Sequence, residues 1–538
     1  MRFTFAVAKG RGRYVCAARL GDKAKSGSQR SLDLQGSEAP PAADAARVAR
    51  VFEELTAGRW NGDRDDLGTE IADDAWAELT TDRLGCSGLK CPSFAICPFY
   101  RARARVRDAD VIVVNHDLLL AAAQMPAGSV LPDLGECLIV IDEAHALAQK
   151  AVGQFAVRHT LLGAVEWVDR VDGSMLQAVH ALALDAGIHA KAKGAAGSLA
   201  NNLEALHQAI EATGAFEEKP NRRLRNGVVP DWLRTIGERV SRSACELNQI
   251  LLSRRERMLE CADTEPRLVQ RLLGEHGLIA AKVESICETW ELMLRDHGRE
   301  RGPIARWIEK FESGKGRSDF MICAAPISAA AKLECLLWRR VAAAVLTSAT
   351  LTACGSFRLF LEETGLVAFG EKKLLRLSSP FDYPNRATLV VPRMRSNPKL
   401  ADAHTAEVVE LLPALLKQRG ALVLFASGQQ MRRVYASIPD DLRSCVLMQG
   451  TLPRTKIISH HAKTVEAGGR SIIFGLASFS EGVDLPGELC TNVVVVKLPF
   501  AVPHSPIEEA RREWIESQGR SAFLEFSVPE VGVRLSAG

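Results

Sequence analysis

The amino-acid sequence predicts a mixed α/β protein built on parallel β-sheets. Six short apolar runs recur along the chain, and each is followed by polar or small residues and then by a helical pattern. The runs are continuously apolar, which is typical of strands buried on both faces of a parallel sheet. The opening residues 1–8 are predicted as a further strand. The six runs are residues 111–114, 138–141, 342–346, 421–425, 471–474 and 493–496.

Length and composition limit the class of protein. With 538 residues the chain is too long for one hydrophobic core, so two to four domains are expected. Because the net charge is only +3, binding to nucleic acid would have to come from local patches. No apolar run approaches the roughly 20 residues of a membrane span. The thirteen cysteines do not form a secreted disulfide framework, so a cytoplasmic protein without a membrane partner is expected.

Two stretches interrupt the alternation of strands and helices. Residues 17–108 are polar, with an acidic tract from Asp63 to Asp74, and residues 160–320 have helical periodicity. Since strand-like segments resume after each stretch, both are predicted to be insertions into a first α/β domain. A second α/β domain is predicted from about residue 355 to the end of the sequence.

Two carboxylates close the strand at residues 138–141. Asp142 and Glu143 open an Asp-Glu-Ala-His segment at the carboxyl end of that strand, where open α/β sheets bind their ligands. In nucleoside triphosphatases an acidic residue here holds Mg²⁺, and a neighbouring Glu polarises the attacking water. The alternative is an acidic helix N-terminus that only complements the helix dipole.

Four cysteines suggest a metal site. Cys86, Cys91 and Cys97 lie close together in a loop rich in Gly and Pro, and Cys16 lies far upstream. Four thiolates suit zinc or an iron–sulfur cluster, but zinc ribbons usually pair cysteines two to four residues apart. The looser three-plus-one pattern favours a [4Fe–4S] cluster. Zinc, or thiols without a shared role, are the alternatives.

A basic run follows the last of these cysteines. Alternate arginines from 101 to 107 would form a stripe that can track a phosphate backbone, and Phe99 and Tyr100 could stack on a base. A solvated helix face is an equally good explanation.

The second half of the chain carries two weaker motifs. Thr347-Ser348-Ala349-Thr350 follows a strand, where its hydroxyls could link a nucleotide site to a nucleic-acid track, or serve only as a helix cap. Ser480–Gly487 is a glycine-containing acidic turn in which Gly482 permits close backbone approach, and Glu481 and Asp484 are available for ribose or backbone contacts. A tight turn without a ligand is the alternative.

In this order the motifs resemble those of the XPD-like superfamily 2 iron–sulfur DNA helicases, most closely their DinG branch. The resemblance extends over essentially the whole chain. Its most specific passages are residues 10–16, 60–100, 113–116, 391–395, 422–428, 479–487 and 498–500.

The resemblance implies an α/β fold of two RecA-like motor domains, with an iron–sulfur insertion and a helical Arch insertion in the first. These frame a passage for single-stranded DNA in an ATP-dependent motor that moves 5′ to 3′, works on forked DNA and R-loops in bacterial DNA repair and replication, and acts as a monomer at the nucleoid. The implied divisions are the start of motor domain 1 (1–15), the iron–sulfur domain (16–108), motor domain 1 (109–160), the Arch (161–320), the end of motor domain 1 (321–354) and motor domain 2 (355–538).

The resemblance also assigns residues. It implies Mg²⁺ binding by Asp142, water activation by Glu143 and coupling to the second domain by His145. Contacts to ATP, the substrate, would come from Asp142, Glu143, Gly482 and Asp484. Ligation of a [4Fe–4S] cluster is implied for Cys16, Cys86, Cys91 and Cys97.

Two motifs of the family are missing. No Gly-x-x-x-x-Gly-Lys-[Ser/Thr] phosphate loop occurs, and the one Gly-Lys pair, Gly314-Lys315, is followed by glycine. Residues 526–535 match the approach to the family's last motif, Gln-x-x-Gly-Arg, but that motif does not follow. We therefore expect a helicase truncated at both ends that hydrolyses little ATP. The alternative is a non-catalytic DNA-binding or scaffold remnant of such a helicase.

Overall fold

The computed structural model describes residues 3–26, 42–67, 71–126, 128–168, 170–216, 220–296, 303–313, 316–370, 372–480, 483–500 and 505–537. Its strands are β1 (Phe5–Ala8), β2 (Val111–Val114), β3 (Leu138–Ile141), β4 (Val157–Thr160), β5 (Asn221–Arg223), β6 (Ile304–Glu312), β7 (Ser318–Pro326), β8 (Ala343–Leu346), β9 (Gly420–Leu424), β10 (Val446–Met448), β11 (Ser471–Gly475) and β12 (Asn492–Val495).

The helices are more numerous than the strands. They are α1 (Ala17–Ser26), α2 (Ala42–Thr56), α3 (Asp73–Leu79), α4 (Pro98–Arg107), α5 (His116–Ala123), α6 (Leu147–Gln154), α7 (Leu162–Val168), α8 (Arg170–Leu182), α9 (Ala186–Ala212), α10 (Asp231–Glu260), α11 (Pro266–Leu294), α12 (Ala330–Leu333), α13 (Arg358–Thr364), α14 (Tyr383–Arg386), α15 (Ala401–Leu415), α16 (Gly428–Ser437), α17 (Asp440–Arg443), α18 (Arg454–Glu466), α19 (Ala477–Ser480), α20 (Pro506–Ser517) and α21 (Val528–Ala537).

The predicted α/β class with parallel sheets is confirmed. Each apolar run predicted as a strand is one, within a residue or two at either end. β1 pairs in parallel with β2, and a four-stranded parallel sheet has the order β10-β11-β9-β12. β3 pairs with β8. None of the helices in the described ranges combines the length and the apolarity needed to cross a membrane.

The chain forms two compact units, each assembled from separate segments. The first consists of Met1–Ile141, Ala146–Val345 and Pro506–Trp514, and the second of Asp142–His145, Leu346–Ser505 and Ile515–Gly538. This division groups the Asp-Glu-Ala-His segment with the later part of the chain, and part of α20 with the earlier part.

Long helices form the main core of the first unit. The predicted apolar face of α9 is buried, with Leu203 and Leu206 inaccessible to solvent, and the helix packs against α7, α8 and α10. α10 and α11 approach closely where Gly237 faces Trp290. A Cβ atom added to Gly237 would lie 2.1 Å from the indole ring, so only glycine fits there.

An antiparallel sheet that the sequence analysis did not predict lies within the stretch expected to be helical. It has the order β4-β7-β6-β5, and β6 and β7 form a long hairpin. The hairpin was not predicted because charged residues interrupt the apolar sequence of β6. Arg306 in this strand is buried and donates hydrogen bonds to the carbonyl groups of Gly227 and Leu292, so its charge does not mark an exposed position.

The segment after the second unit's sheet returns to this antiparallel sheet. Ala510 of α20 is buried against Trp307 and Ala325. Arg223 Nη1 of β5 donates to Glu513 Oε2 at 2.6 Å, and Arg223 Nε to Glu509 Oε2 at 3.1 Å. Apolar packing and paired charges therefore hold the start of α20 in the first unit.

Burial on both faces was predicted for the six apolar runs, and it holds for the central strands of the second unit. Alternate residues of β9 and β11 enter two cores: Val423 and Phe474 pack on one side, and Leu422 and Ile473 pack with α18 on the other. The prediction is wrong for β2, β3, β8 and β12, because alternate side chains of these strands are exposed. β2, β3 and β8 lie in two-stranded sheets, and β12 is an edge strand of the four-stranded sheet.

Two glycine-to-alanine substitutions in the long helices should shift stability in opposite directions. Gly237→Ala forces the new methyl group into the Trp290 ring and should destabilise the protein by about 1–3 kcal/mol. Gly194→Ala in α9 meets no atom within 4 Å and should stabilise it by about 0.5–1 kcal/mol, since alanine favours the helix. Urea unfolding followed by circular dichroism measures both, and an equal effect of the two substitutions would contradict the packing described.

Candidate functional site

The Asp-Glu-Ala-His segment forms a hydrogen-bonded group with the Thr-Ser-Ala-Thr segment. His145 Nδ1 lies 2.8 Å from Ser348 Oγ and 3.2 Å from Glu143 Oε2, and the Ser348 hydroxyl donates to Glu143 Oε2 at 3.2 Å. The N–H of Ala144 donates to the carbonyl of Thr347 at 3.0 Å, so the backbones are joined as well. The structure thus brings together three polar side chains from two motifs about 200 residues apart.

The backbone at Glu143 is strained. Its φ is 47°, in the left-handed region that non-glycine residues rarely occupy. Such a conformation costs about 1–3 kcal/mol and persists where surrounding contacts fix it, often at functional sites. The turn leaves the side chains of Asp142 and Glu143 exposed at the end of β3. Both carboxylates are therefore accessible to a metal ion or to water.

The hydroxyl groups of the second motif also contact each other. Ser348 Oγ accepts a hydrogen bond from the N–H of Thr350 at 3.2 Å and lies 3.4 Å from its hydroxyl oxygen. Ser348 therefore combines the local turn expected from sequence with a link to His145. The proposed connection from this motif to a nucleic-acid track stays a prediction.

The acidic turn predicted to contact the nucleotide is only partly described. Asp484 is exposed in an irregular segment after α19. Gly482 and Glu481 lie outside the described residues, so the placement of Gly482 against a nucleotide stays a prediction.

The four cysteines line one small cavity in the first unit, together with Arg11, Tyr100 and Gln270. Local structure positions each sulfur. Cys16 directly precedes α1, Cys97 is the N-cap of α4, and Cys91 lies between two short 3₁₀ turns. Cys86 is buried in the preceding loop. The three-plus-one arrangement read from sequence is thus assembled around a common space.

Backbone N–H groups point at each sulfur of the cavity. Gly88 N–H donates to Cys86 Sγ at 3.4 Å. The N–H groups of Ala18 and Arg19 are directed at Cys16, that of Ser93 at Cys91, and those of Phe99 and Tyr100 at Cys97. Such N–H groups stabilise a thiolate and tune an iron–sulfur centre.

Burial nevertheless favours the protonated form of three thiols of the cavity, those of Cys16, Cys91 and Cys97, in the absence of a positive ion. It raises the pKa of Cys91 to about 11, with further contributions from Cys16 and Cys86, and it raises the pKa of Cys16 and Cys97 as well. The thiolate forms of neighbouring cysteines would repel each other, and this repulsion also raises their pKa values. Metal binding would have to displace these protons.

The four cysteines of the cavity are a donor set of the kind that a four-iron cluster uses. Among the described residues, no three His, Cys, Asp or Glu side chains already converge as ligands of one metal ion. In a four-iron cube each thiolate binds a different corner, so its ligands surround a cavity instead of meeting at a point. Four cysteines that line one cavity correspond to that arrangement.

The prediction that Phe99 stacks on a base is wrong. Phe99 is 8% exposed, because the Arg11 guanidinium lies 3.9 Å from its ring centroid and Tyr14 packs at its edge. Tyr100 is half-buried against Phe94. The basic stripe is also reduced, since Arg103 is half-buried and donates to the Val130 carbonyl. The arginines of α4 that stay exposed are Arg101, Arg105 and Arg107.

Several contacts of the segments that carry the cavity residues were not predicted, nor was Gln270 of the cavity wall. The acidic tract pairs with the start of the chain, as Lys9 Nζ bonds Asp63 Oδ2 at 2.5 Å and Asp65 Oδ2 at 2.9 Å. The indole N–H groups of Trp60 and Trp76 donate to the backbone of Asp63 and Gly12. The tryptophans in this polar, acidic stretch were a sequence sign that it packs against another segment, here the start of the chain. Gln270 carries no local signal, since it lies on a helix far along the sequence.

Comparison with protein families matches two parts of this chain. Residues 82–158, which include three of the cavity cysteines and the Asp-Glu-Ala-His segment, match the DEAD_2 family. Residues 412–536 match the family described as Helicase C-terminal domain.

Individual relatives match over nearly the whole chain. A protein of Photobacterium profundum named ATP-dependent DNA helicase DinG is 33% identical, over 99% of this chain and 78% of the relative. Proteins of the same name from Salmonella choleraesuis and Escherichia coli K12 are 30% and 29% identical, over 99% of this chain and 76% of each relative.

Alkylation should show how the cavity controls its thiols. In metal-free protein, a pKa of about 11 leaves about one Cys91 in a thousand as thiolate at pH 8, so iodoacetamide should react slowly and about tenfold faster per pH unit. Mass spectrometry of the Cys91 peptide measures this, with the exposed Cys335 as the internal reference. A rate at Cys91 that levels off below pH 9 would contradict the description.

Proposed function

Because this chain belongs to the DinG family of XPD-like superfamily 2 helicases, we propose that it is an ATP-dependent DNA helicase that moves 5′ to 3′ along single-stranded DNA and opens forked duplexes and R-loops. The observation that carries the proposal beyond the family name is the contact of Glu143 and His145 with Ser348. Through one hydroxyl group, it joins a carboxylate suited to activate water to the Thr-Ser-Ala-Thr segment.

Each member of this group has a proposed role in ATP hydrolysis. Asp142, exposed at the end of β3, would hold Mg²⁺ through water, and Glu143 would accept the proton of the attacking water. His145 and Ser348 would couple a movement of the Glu143 carboxylate to the DNA-binding surface and the second motor domain. A shift of the carboxylate alters the Ser348–Glu143 hydrogen bond and, through Ser348, its hydrogen bond with His145. Gly482 and Asp484 would contact the nucleotide.

For the cavity we propose a [4Fe–4S] cluster held by Cys16, Cys86, Cys91 and Cys97. Support comes from the four sulfurs around one space and from the N–H groups directed at them. The cluster would supply a rigid cross-link, and a centre able to exchange an electron. The protein's own contribution is to bring Cys16, directly before α1, to a loop 70 residues later in the sequence.

We further propose that the two motor domains are RecA-like, and that residues 16–108 and 161–320 are an iron–sulfur and an Arch insertion between which the DNA strand passes. The exposed Arg101 and Arg105 lie one helical turn apart on α4, beside the cavity, where they can contact phosphates. We expect the protein to act as a monomer.

A second candidate function is DNA binding without ATP turnover. The observation that favours it is the lack of a Gly-x-x-x-x-Gly-Lys-[Ser/Thr] loop within these 538 residues, since that loop holds the β- and γ-phosphates. Affinity for forked DNA that is unaffected by ATP would support this candidate.

Single-stranded-DNA-stimulated ATP hydrolysis by the anaerobically purified chain tests the catalytic roles. We expect slow turnover from these 538 residues, and at least about 100-fold less in Glu143→Gln, which keeps the shape of the side chain but cannot accept a proton. Unchanged turnover in Glu143→Gln would contradict the assignment of Glu143.

The cluster is tested by colour and metal content. The protein purified without oxygen should be brown, absorb near 400 nm and contain about four iron atoms per chain. Cys91→Ser should lose the absorbance, whereas Cys335→Ser, an exposed cysteine outside the cavity, should retain it. A colourless protein with one zinc ion per chain would refute the cluster in favour of zinc.

A further inference from the structure

The loop that carries Cys86 is held by side chains from distant helices. Arg255 of α10 donates from Nε to the carbonyl of Leu84 at 3.0 Å and from Nη2 to the carbonyl of Cys86 at 3.1 Å. Arg19, three residues after Cys16, joins the carbonyl of Thr80 at 2.7 Å to that of Gly274 in α11 at 2.8 Å. The loop therefore takes its position from α10 and α11.

Gln270 of α11 fixes both neighbours of Cys86 with one side chain. Its Oε1 accepts hydrogen bonds from the N–H of Ser87, at 3.1 Å, and from the Ser87 hydroxyl, and its Nε2 donates to the carbonyl of Gly85 at 3.1 Å. Gln270 is 4% exposed and lines the cysteine cavity.

Close backbone packing leaves this loop little freedom. A Cβ atom added to Gly277 of α11 would lie 2.2 Å from the nitrogen of Gly85. Since the helix and the loop touch at their backbones, a displacement of α11 must displace the residue next to Cys86.

We infer that Gln270 is a positioning residue for Cys86. Gln270 of α11 and Arg255 of α10 join their helices to the loop of Cys86, so that α10, α11 and the cysteine cavity move as one rigid group. This inference rests on the proposed function, in which Cys86 is a cluster ligand. Force on the long helices from a moving DNA strand would then reach the cluster, and loss of the cluster would loosen the ends of α10 and α11 near the loop.

The test compares the full chain with Gln270→Met, which keeps the volume of the side chain and removes all three hydrogen bonds. With bipyridine as the iron chelator and without oxygen, the absorbance near 400 nm should decay about 10–100-fold faster in the variant, as for other residues that orient metal ligands. Gln249→Met, at an exposed position of α10, is the control and should decay like the wild type.

Hydrogen exchange provides a readout that does not depend on the colour of the protein. Removing iron from the wild type should speed amide exchange in residues 251–277, and Gln270→Met should show this faster exchange with the cluster still bound. If Gln270→Met does not fold, Ser87→Ala removes one of the three bonds and should speed cluster loss about threefold.

The outcomes separate the two proposals. A wild type that binds iron, together with unchanged decay and exchange in Gln270→Met or unchanged decay in Ser87→Ala, would overturn the positioning role alone. A wild type that binds no iron would overturn the cluster and the inference that rests on it.

Discussion

The first unit depends on the pairing of a short stretch of buried polar backbone. The carbonyl groups of Leu84, Gly85 and Cys86 lie in a loop without a sheet or a long helix to pair with, and a buried carbonyl without a partner is costly. Arg255 and Gln270 supply the partners from helices more than 160 residues later. The loop therefore adopts its form only when α10 and α11 are packed correctly, down to the contact of Gly237 with Trp290.

The Asp-Glu-Ala-His segment follows a similar rule in the second unit. A strained turn at Glu143 is retained because contacts from a remote motif fix it: Thr347 accepts from the backbone of Ala144, and Ser348 bonds the carboxylate. Glu143 and Cys86 both carry reactive side chains, and in both cases contacts from distant segments, not local sequence preferences, determine the backbone conformation. The protein pre-organises these residues through contacts distant in sequence, which suits a site that responds to events elsewhere in the chain.

How far sequence reasoning reached follows from these physical differences. The strands were predictable because continuous apolar runs have few other uses. The grouping of the four cysteines around one cavity was predictable because metal sites restrict residue type and spacing, and their ligation of a cluster stays a prediction. The hairpin β6-β7 was missed because sequence alone does not distinguish a buried, hydrogen-bonded arginine such as Arg306 from an exposed one. Phe99 was misjudged because the cation that covers its ring, Arg11, comes from 88 residues upstream. Gln270 could not be found, since no periodicity marks an amide whose partners lie in another segment.

The return of α20 to the antiparallel sheet has a consequence for the order in which the molecule is made. Trp307 and Ala325 are synthesised long before Ala510 and Trp514, which cover them. At ribosomal speeds of about 5–20 residues per second, that apolar surface waits about 10–40 s for its cover. During this interval the nascent chain exposes a face of the antiparallel sheet to the cell. The step most open to misassembly or chaperone binding is therefore the docking of α20, because its first residues belong to the first unit but are synthesised after most of the second.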